Sequence, residues 1–268
     1  LLPQPGNARD YYNTGVTFNN SISFSKASDN VSFRIGFNNV EAQGLLPTTF
    51  MKKNVLNLAG SINVTPKLTA SINFNYATQY LNGEFEDGYS NQTTGSFNQW
   101  FHRNLDMKIM RELKDLRTPQ GIWASWNHSN PTSYSPSSQN FYKGNYWYNF
   151  YQYFDYIRND IRRDRLFGDV GVTYKVTNDL KVRFTYRKQQ LTTNSETIYR
   201  SELEASANQM SFNPFQGNAR AAYGTANTFS DRQNYEGLIT YSKKIKSFQI
   251  NANAGFDILK TRNRNINA

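Results

Sequence analysis

The sequence predicts an all-β protein: a transmembrane antiparallel β-barrel segment of about eight strands, taken from a larger barrel. Three observations predict it. Aromatic residues make up 15% of the 268 residues, yet mean hydropathy is only -0.73. A sheet with one apolar and one polar face holds both tendencies at once. Apolar and polar residues alternate with period two through eight separate runs, the pattern of a half-buried strand. The links between the runs are short and long by turns, as in a barrel with tight turns on one side of a membrane and long loops on the other.

The runs justify themselves in order. The first, near 16–26, carries Val16, Phe18, Ile22 and Phe24 on one face and Thr17, Asn19, Ser21 and Ser23 on the other. The second, near 30–42, sets Val31, Phe33, Ile35 and Phe37 against Ser32, Arg34 and Asn38. The third, near 54–65, sets Leu56, Leu58, Ile62 and Val64 against Asn57, Ser61 and Asn63. The fourth, near 67–82, sets Leu68, Ala70, Ile72, Phe74 and Tyr76 against Thr69, Ser71, Asn73 and Asn75. After a long interruption come runs near 163–177, 180–193, 232–245 and 247–262. In these, Val170, Val172, Val182, Phe184, Ile239, Ile250 and Phe256 mark the apolar parity, and Asp169, Lys181, Arg183, Arg187, Asn251 and Asn253 the polar one. Thr65-Pro66-Lys67 and Thr177-Asn178-Asp179 are tight links whose flanking apolar residues share a face, as opposed hairpin residues must. Lys246-Ser247 and Ala27-Ser28-Asp29-Asn30 are the other short ones, whereas 43–53, 83–160 and 194–230 are long.

Apolar runs fall well short of the ~18 residues that a membrane-spanning helix needs, so any membrane crossing is by strands. A net charge of +10 would suit an acidic partner, but the cations are scattered rather than clustered, which argues against nucleic acid. There is no cysteine, no phosphate-cradling glycine fingerprint and no nucleophile elbow, and His102 and His128 lack ligand spacing. The expectation is therefore no enzyme, no cofactor and no metal site; Glu84, Glu86 and Asp87 read as a solvated acidic loop, with an oxygen-rich calcium site as the alternative. By strand parity, Arg34, Asn73, Asn75, Lys181, Arg183, Arg187, Asn251 and Asn253 are the candidate lumen-lining residues. Within loop 83–160, Phe101, Leu105, Ile109, Leu113 and Leu116 recur at helical spacing behind a Ser96/Gln99 capping box, predicting a helix near 98–116. The loop also holds all four tryptophans, so Trp100, His102, Arg103, Trp123, Trp126 and Trp147 are candidates for contact with a partner or ligand. With short turns on the periplasmic side, both ends fall on the extracellular side and two sheet edges stay open, so further strands are expected.

A series of short motifs carries a resemblance. Asp10-Tyr11-Tyr12-Asn13-Thr14-Gly15 and Ser23-Phe24-Ser25 open it. Gln43-Gly44-Leu45-Leu46-Pro47-Thr48-Thr49, Lys53-Asn54 with Leu56-Asn57-Leu58, the Phe97–Asp106 segment and Arg163-Asp164-Arg165-Leu166-Phe167-Gly168 follow in order. Together they resemble the SusC/RagA-like family of TonB-dependent outer-membrane transporters. Lys26-Ala27-Ser28 departs from the family's usual Gly-Gly, which implies a wider turn there. The resemblance implies part of one receptor barrel domain spanning 1–268, within a 22-stranded barrel of the bacterial outer membrane, with the plug and C-terminal strands lying outside this chain. It implies import of oligosaccharides or peptides, a SusD-like surface lipoprotein as partner, and TonB acting through the plug. The alternatives are a passive porin or secretion pore, and a structural or adhesive barrel that presents loops.

Overall fold

The computed structural model describes residues 2–83, 103–116, 149, 151, 155–203 and 221–268. They form one antiparallel sheet in which each strand pairs with its sequence neighbour. The strands are β1 (Val16–Ala27), β2 (Val31–Gln43), β3 (Phe50–Thr65), β4 (Leu68–Asn82), β5 (Ile157–Lys175), β6 (Leu180–Tyr199), β7 (Ala222–Ile245) and β8 (Phe248–Asn267). β1 and β8 are the two edges and do not pair with each other, so the sheet is open. Two short α-helices, α1 (Asn7–Tyr11) and α2 (Met107–Glu112), and a 3₁₀ turn at Ser201–Leu203 complete the described structure. No described helix is long and apolar enough to cross a membrane, which says nothing about crossing by strands.

Two of the four tight turns are built from their threonines. Thr65 Oγ1 accepts the N–H groups of Lys67 (3.3 Å) and Leu68 (3.0 Å). Thr177 Oγ1 accepts those of Asp179 (3.2 Å) and Leu180 (3.0 Å). Each hydroxyl satisfies donors that the ladder leaves free at the reversal. At the two-residue turn between Ile245 and Phe248, Lys246 takes φ 53, a left-handed conformation that a non-glycine residue adopts at some cost. Close approach also fixes one glycine: a Cβ on Gly168 would lie 2.2 Å from the Asn73 carbonyl oxygen across the β4–β5 ladder.

The strands run further toward the long-loop side than alternation indicates. β5 begins at Ile157 rather than near 163, β6 continues to Tyr199 rather than 193, β7 begins at Ala222 rather than near 232, and β8 continues to Asn267 rather than 262. β3 begins at Phe50, ahead of the expected 54. In these extensions apolar residues are sparse and no longer alternate regularly, with Ile157 and Ile161 falling on the otherwise polar face, so the period-two signal fades while the backbone ladder continues.

The helix expected near 98–116 is not continuous. Residues 103–106 and 113–116 are not helical, and α2 is capped by Asp106, whose carboxylate accepts from Lys108 N (2.8 Å) and Ile109 N (3.4 Å). The expected apolar stripe does not face a core either: Ile109, Leu113 and Leu116 are exposed, and Met107 is the buried member of α2. Helical spacing alone could not tell which side would find a partner. The expected Ser96/Gln99 cap lies outside the described residues.

The buried apolar residues among the described ones gather at the long-loop end: Tyr11, Met107 and Tyr151 beside the sheet, and Leu81, Ile157 and Ile161 at the ends of β4 and β5. The Tyr11 and Tyr151 rings are 5.2 Å apart, and the Arg111 guanidinium lies 5.0 Å from the Tyr151 ring centre. Asn149 donates to the Met110 carbonyl (2.7 Å), and Tyr156 donates to Asp115 (3.2 Å). Burial pushes the Tyr11 phenol well above its ordinary range, so it stays neutral.

Candidate functional site

The sheet's two faces differ chemically, and ladder register decides which residue goes where. Directly paired residues project to the same side. One side collects Ile22, Phe24, Ile35, Leu58, Phe74, Val170, Phe184, Ile239 and Phe256, continuous from β1 to β8 through their pairings. These side chains are open rather than packed: Ile22 is 73% exposed and Phe24 63%. On β4 the apolar stretch from Leu68 to Tyr76 covers eight steps of about 3.4 Å, or roughly 20 Å of height at a ~40° strand tilt, close to a barrel's lipid-facing band. Tyrosines mark its margins: Tyr76, Tyr186 and Tyr235 toward the long loops, Tyr174 and Tyr241 toward the tight turns.

The opposite side is hydrogen-bonded and charged. Its rows are read across the ladders: Asn73, Asp169, Arg187, Asn234 and Leu259 form one, and Ser71, Gly171, Thr185, Glu236 and Asp257 the next. Arg187 Nη1 donates to Asn234 Oδ1 and to Glu236 Oε2, both at 2.9 Å. Arg183 Nη2 lies 3.7 Å from Glu236 Oε1, and its Nε donates to Thr185 Oγ1 at 3.0 Å. Asn234 Nδ2 donates in turn to Asp257. One carboxylate thus bridges two guanidiniums, and an amide joins them to a second acid. Cross-strand polar pairs extend the same surface: Ser32 with Ser61 (2.9 Å), Asn38 to Asn19 (2.7 Å), Ser242 to Asn251 (2.8 Å) and Ser230 to Asn263 (2.8 Å).

Register places Arg34, Asn73, Asn75, Lys181, Arg183, Arg187, Asn251 and Asn253 all on this polar face. Asn73, Arg183 and Arg187 belong to the charged cluster; Arg34 continues the row of Asn73 and Asp169 through Ala59, two strands further on β2. Sequence reasoning missed the acids and the amide that complete the cluster: Asp169, Glu236, Asp257 and Asn234. Parity sets Asp169 on the polar side, but only the register shows it, Glu236 and Asp257 beside the arginines. It also missed Phe167 and Leu259, large exposed apolar residues on the polar parity that flank a shallow pocket with Asn73, Asp169, Arg187 and Asp257. At the long-loop end the same parity carries Leu81, Ile157 and Ile161, which are buried, so the polar face is covered there.

Of the loop candidates, Trp100, His102, Trp123, Trp126 and Trp147 lie outside the described residues. Arg103 is described, and its carbonyl oxygen accepts from Gln4 N (2.9 Å) and Asn7 Nδ2 (3.1 Å), tying the start of the chain to the loop. Among the described residues no group of three or more His, Cys, Asp or Glu side chains is placed to hold a metal ion.

An open antiparallel sheet with an exposed apolar band on one face and a bonded polar surface on the other is the wall of a transmembrane β-barrel. Solved structures agree in fold. The RagAB peptide importer in its "open-open" state matches with a TM-score of 0.69 and 12% identity over 98% of this chain and 26% of that one. Its "closed-closed" state matches with a TM-score of 0.67 and 12% identity, again over 98% and 26%. A further structure of the RagAB peptide transporter gives a TM-score of 0.63 and 11% identity over 94% and 25%. The chain spans about a quarter of these transporter chains. At such identity the likeness is one of fold alone. No family model and no curated protein matches the sequence.

Proposed function

We propose that this chain forms part of the barrel wall of a bacterial outer-membrane importer of the SusC/RagA-like, TonB-dependent kind. The observation that carries the reading is the register-wide separation of an exposed apolar band from a polar, charged face over eight strands. Water-filled lumens and lipid demand opposite chemistry of alternate residues, and this sheet supplies it. The fold likeness to a peptide importer supports the same reading. The imported solutes are peptides or oligosaccharides, a SusD-like surface lipoprotein covers the long-loop side, and TonB drives uptake through a plug outside this chain.

The test uses cells that make the full-length polypeptide carrying this chain, with and without an uncoupler of the inner membrane. Labelled peptides and oligosaccharides are offered in turn. Uptake that stops on uncoupling is expected. Uptake of the same solutes that ignores the uncoupler would assign a passive pore instead. Loss of neither solute's uptake on deletion of the gene would favour a structural or adhesive barrel.

A further inference from the structure

The apolar band on β6, β7 and β8 ends in one registered row, Tyr186, Tyr235 and Ile258, with the two tyrosine rings 5.1 Å apart. One step further toward the long loops, the same face carries Lys188, Gln233 and Lys260 in a single row. The next outward positions of β8 are Arg262 and Arg264, since alternate residues share a face. Four cations therefore stand directly beyond the apolar rim. Within these rows the carboxylate beside them is Asp231, 3.6 Å from Lys188 and across the ladder from Arg262; Asp164 shares the row of Arg264 but stands three strands away on β5. Among the described residues no acid forms an ion pair with Lys260, Arg262 or Arg264, and all three are exposed.

We propose that Lys188, Lys260, Arg262 and Arg264 bind the phosphate-bearing headgroup of a lipid in the leaflet on the long-loop side. The proposal rests on the membrane-wall reading above. Continuity with the apolar band selects the occupant. A lipid presents acyl chains to the Tyr186–Tyr235–Ile258 row and its headgroup one step higher, where the cations are. Lysine and arginine lay apolar stems along such a rim and set their charges at headgroup depth. The arginine fork can hold two phosphate oxygens at once, and an ammonium adds a point charge beside it. Strands about 4.8 Å apart put Lys188 and Lys260 roughly 10 Å from each other, with Gln233 between them, a span that a phosphate on a sugar or glycerol headgroup can bridge.

The experiment uses the full-length polypeptide, purified in detergent and titrated with monophosphoryl lipid A or with the same lipid after phosphate removal. Binding is read by native mass spectrometry at low and high salt. Saturable binding of the phosphorylated form is expected, weakened by salt. The combined substitution Lys260→Gln, Arg262→Gln and Arg264→Gln should weaken it by about tenfold or more. Lys26→Gln, on the same face at the tight-turn rim, should leave it unchanged. Heat-modified gel mobility checks that each variant still folds. Equal binding of the two lipid forms, or an unaffected triple variant, would overturn the headgroup site while leaving the barrel wall intact. Competition by inorganic phosphate at matched concentration would overturn the lipid as source, and equal binding of polyglutamate would assign the stripe to an acidic protein. Failure of the wild type to insert into vesicles of any composition would instead remove the membrane reading itself.

Discussion

Single residues already separate the two faces. Ile72 and Asn73 are neighbours in β4, yet one belongs to the apolar band and the other to the row of Asp169 and Arg187. We expect Ile72→Arg to cost about 2–4 kcal/mol of folding into bilayers, and Asn73→Arg far less, because only the first sets a charge in lipid. Urea titrations in vesicles compare the two; equal costs would reverse or abolish the face assignment. Tyr11 tests a different packing. It is fully buried at the end of α1 with its ring against Tyr151, so Tyr11→Ala opens a cavity worth about 3–5 kcal/mol where it cannot close. The loss should appear as faster hydrogen exchange in residues 4–12 and 103–116, with the amides of β1–β8 unaffected. The candidate residues were partly legible: parity put Arg183 and Arg187 on the polar face, but a one-dimensional pattern holds no information on which acid stands across the ladder. Glu236 and Asp257 became visible only with the register.

Secondary elements owe their limits to different physics at their two ends. At the tight-turn end the boundaries were legible because turn chemistry is local. Thr65 and Thr177 close equivalent reversals through the same hydroxyl-to-amide bonds. Thr65→Ala and Thr177→Ala should each cost about 1 kcal/mol, and serine should restore most of it, as measured by refolding equilibria. At the β4–β5 ladder, Gly168→Ala would force backbone apart at Asn73, and a destabilisation of about 1–3 kcal/mol is expected, with enhanced exchange centred on that pair. At the long-loop end the boundaries were not legible. Beyond the lipid band, alternation serves no purpose, so β5 to β8 run on without its mark. Helical spacing was equally silent on α2: Met107 is its buried member, because which side of a helix is covered is set by residues from elsewhere in the chain.

The whole molecule is governed by the open edges of its sheet. β1 and β8 carry backbone groups with no ladder partner on their outer sides, a costly state in lipid. Residues 1–268 made alone should therefore fail to give a protease-resistant, heat-modifiable species in bilayers, while the full-length polypeptide should give one. A stable insertion of the isolated chain would require β1 to find β8 or a second copy. By itself the sequence determined the all-β class, the eight strands in meander order, the tight turns and the identity of the two faces. These follow from local rules: side chains alternate along a strand, and turns need particular hydroxyls and conformations. Only the tertiary structure decided the charged cluster about Glu236, the buried Tyr11–Tyr151 contact and the cationic rows beyond Tyr186 and Tyr235. Each joins residues distant along the chain, and their meeting depends on the register of several ladders at once, which no single run of residues encodes.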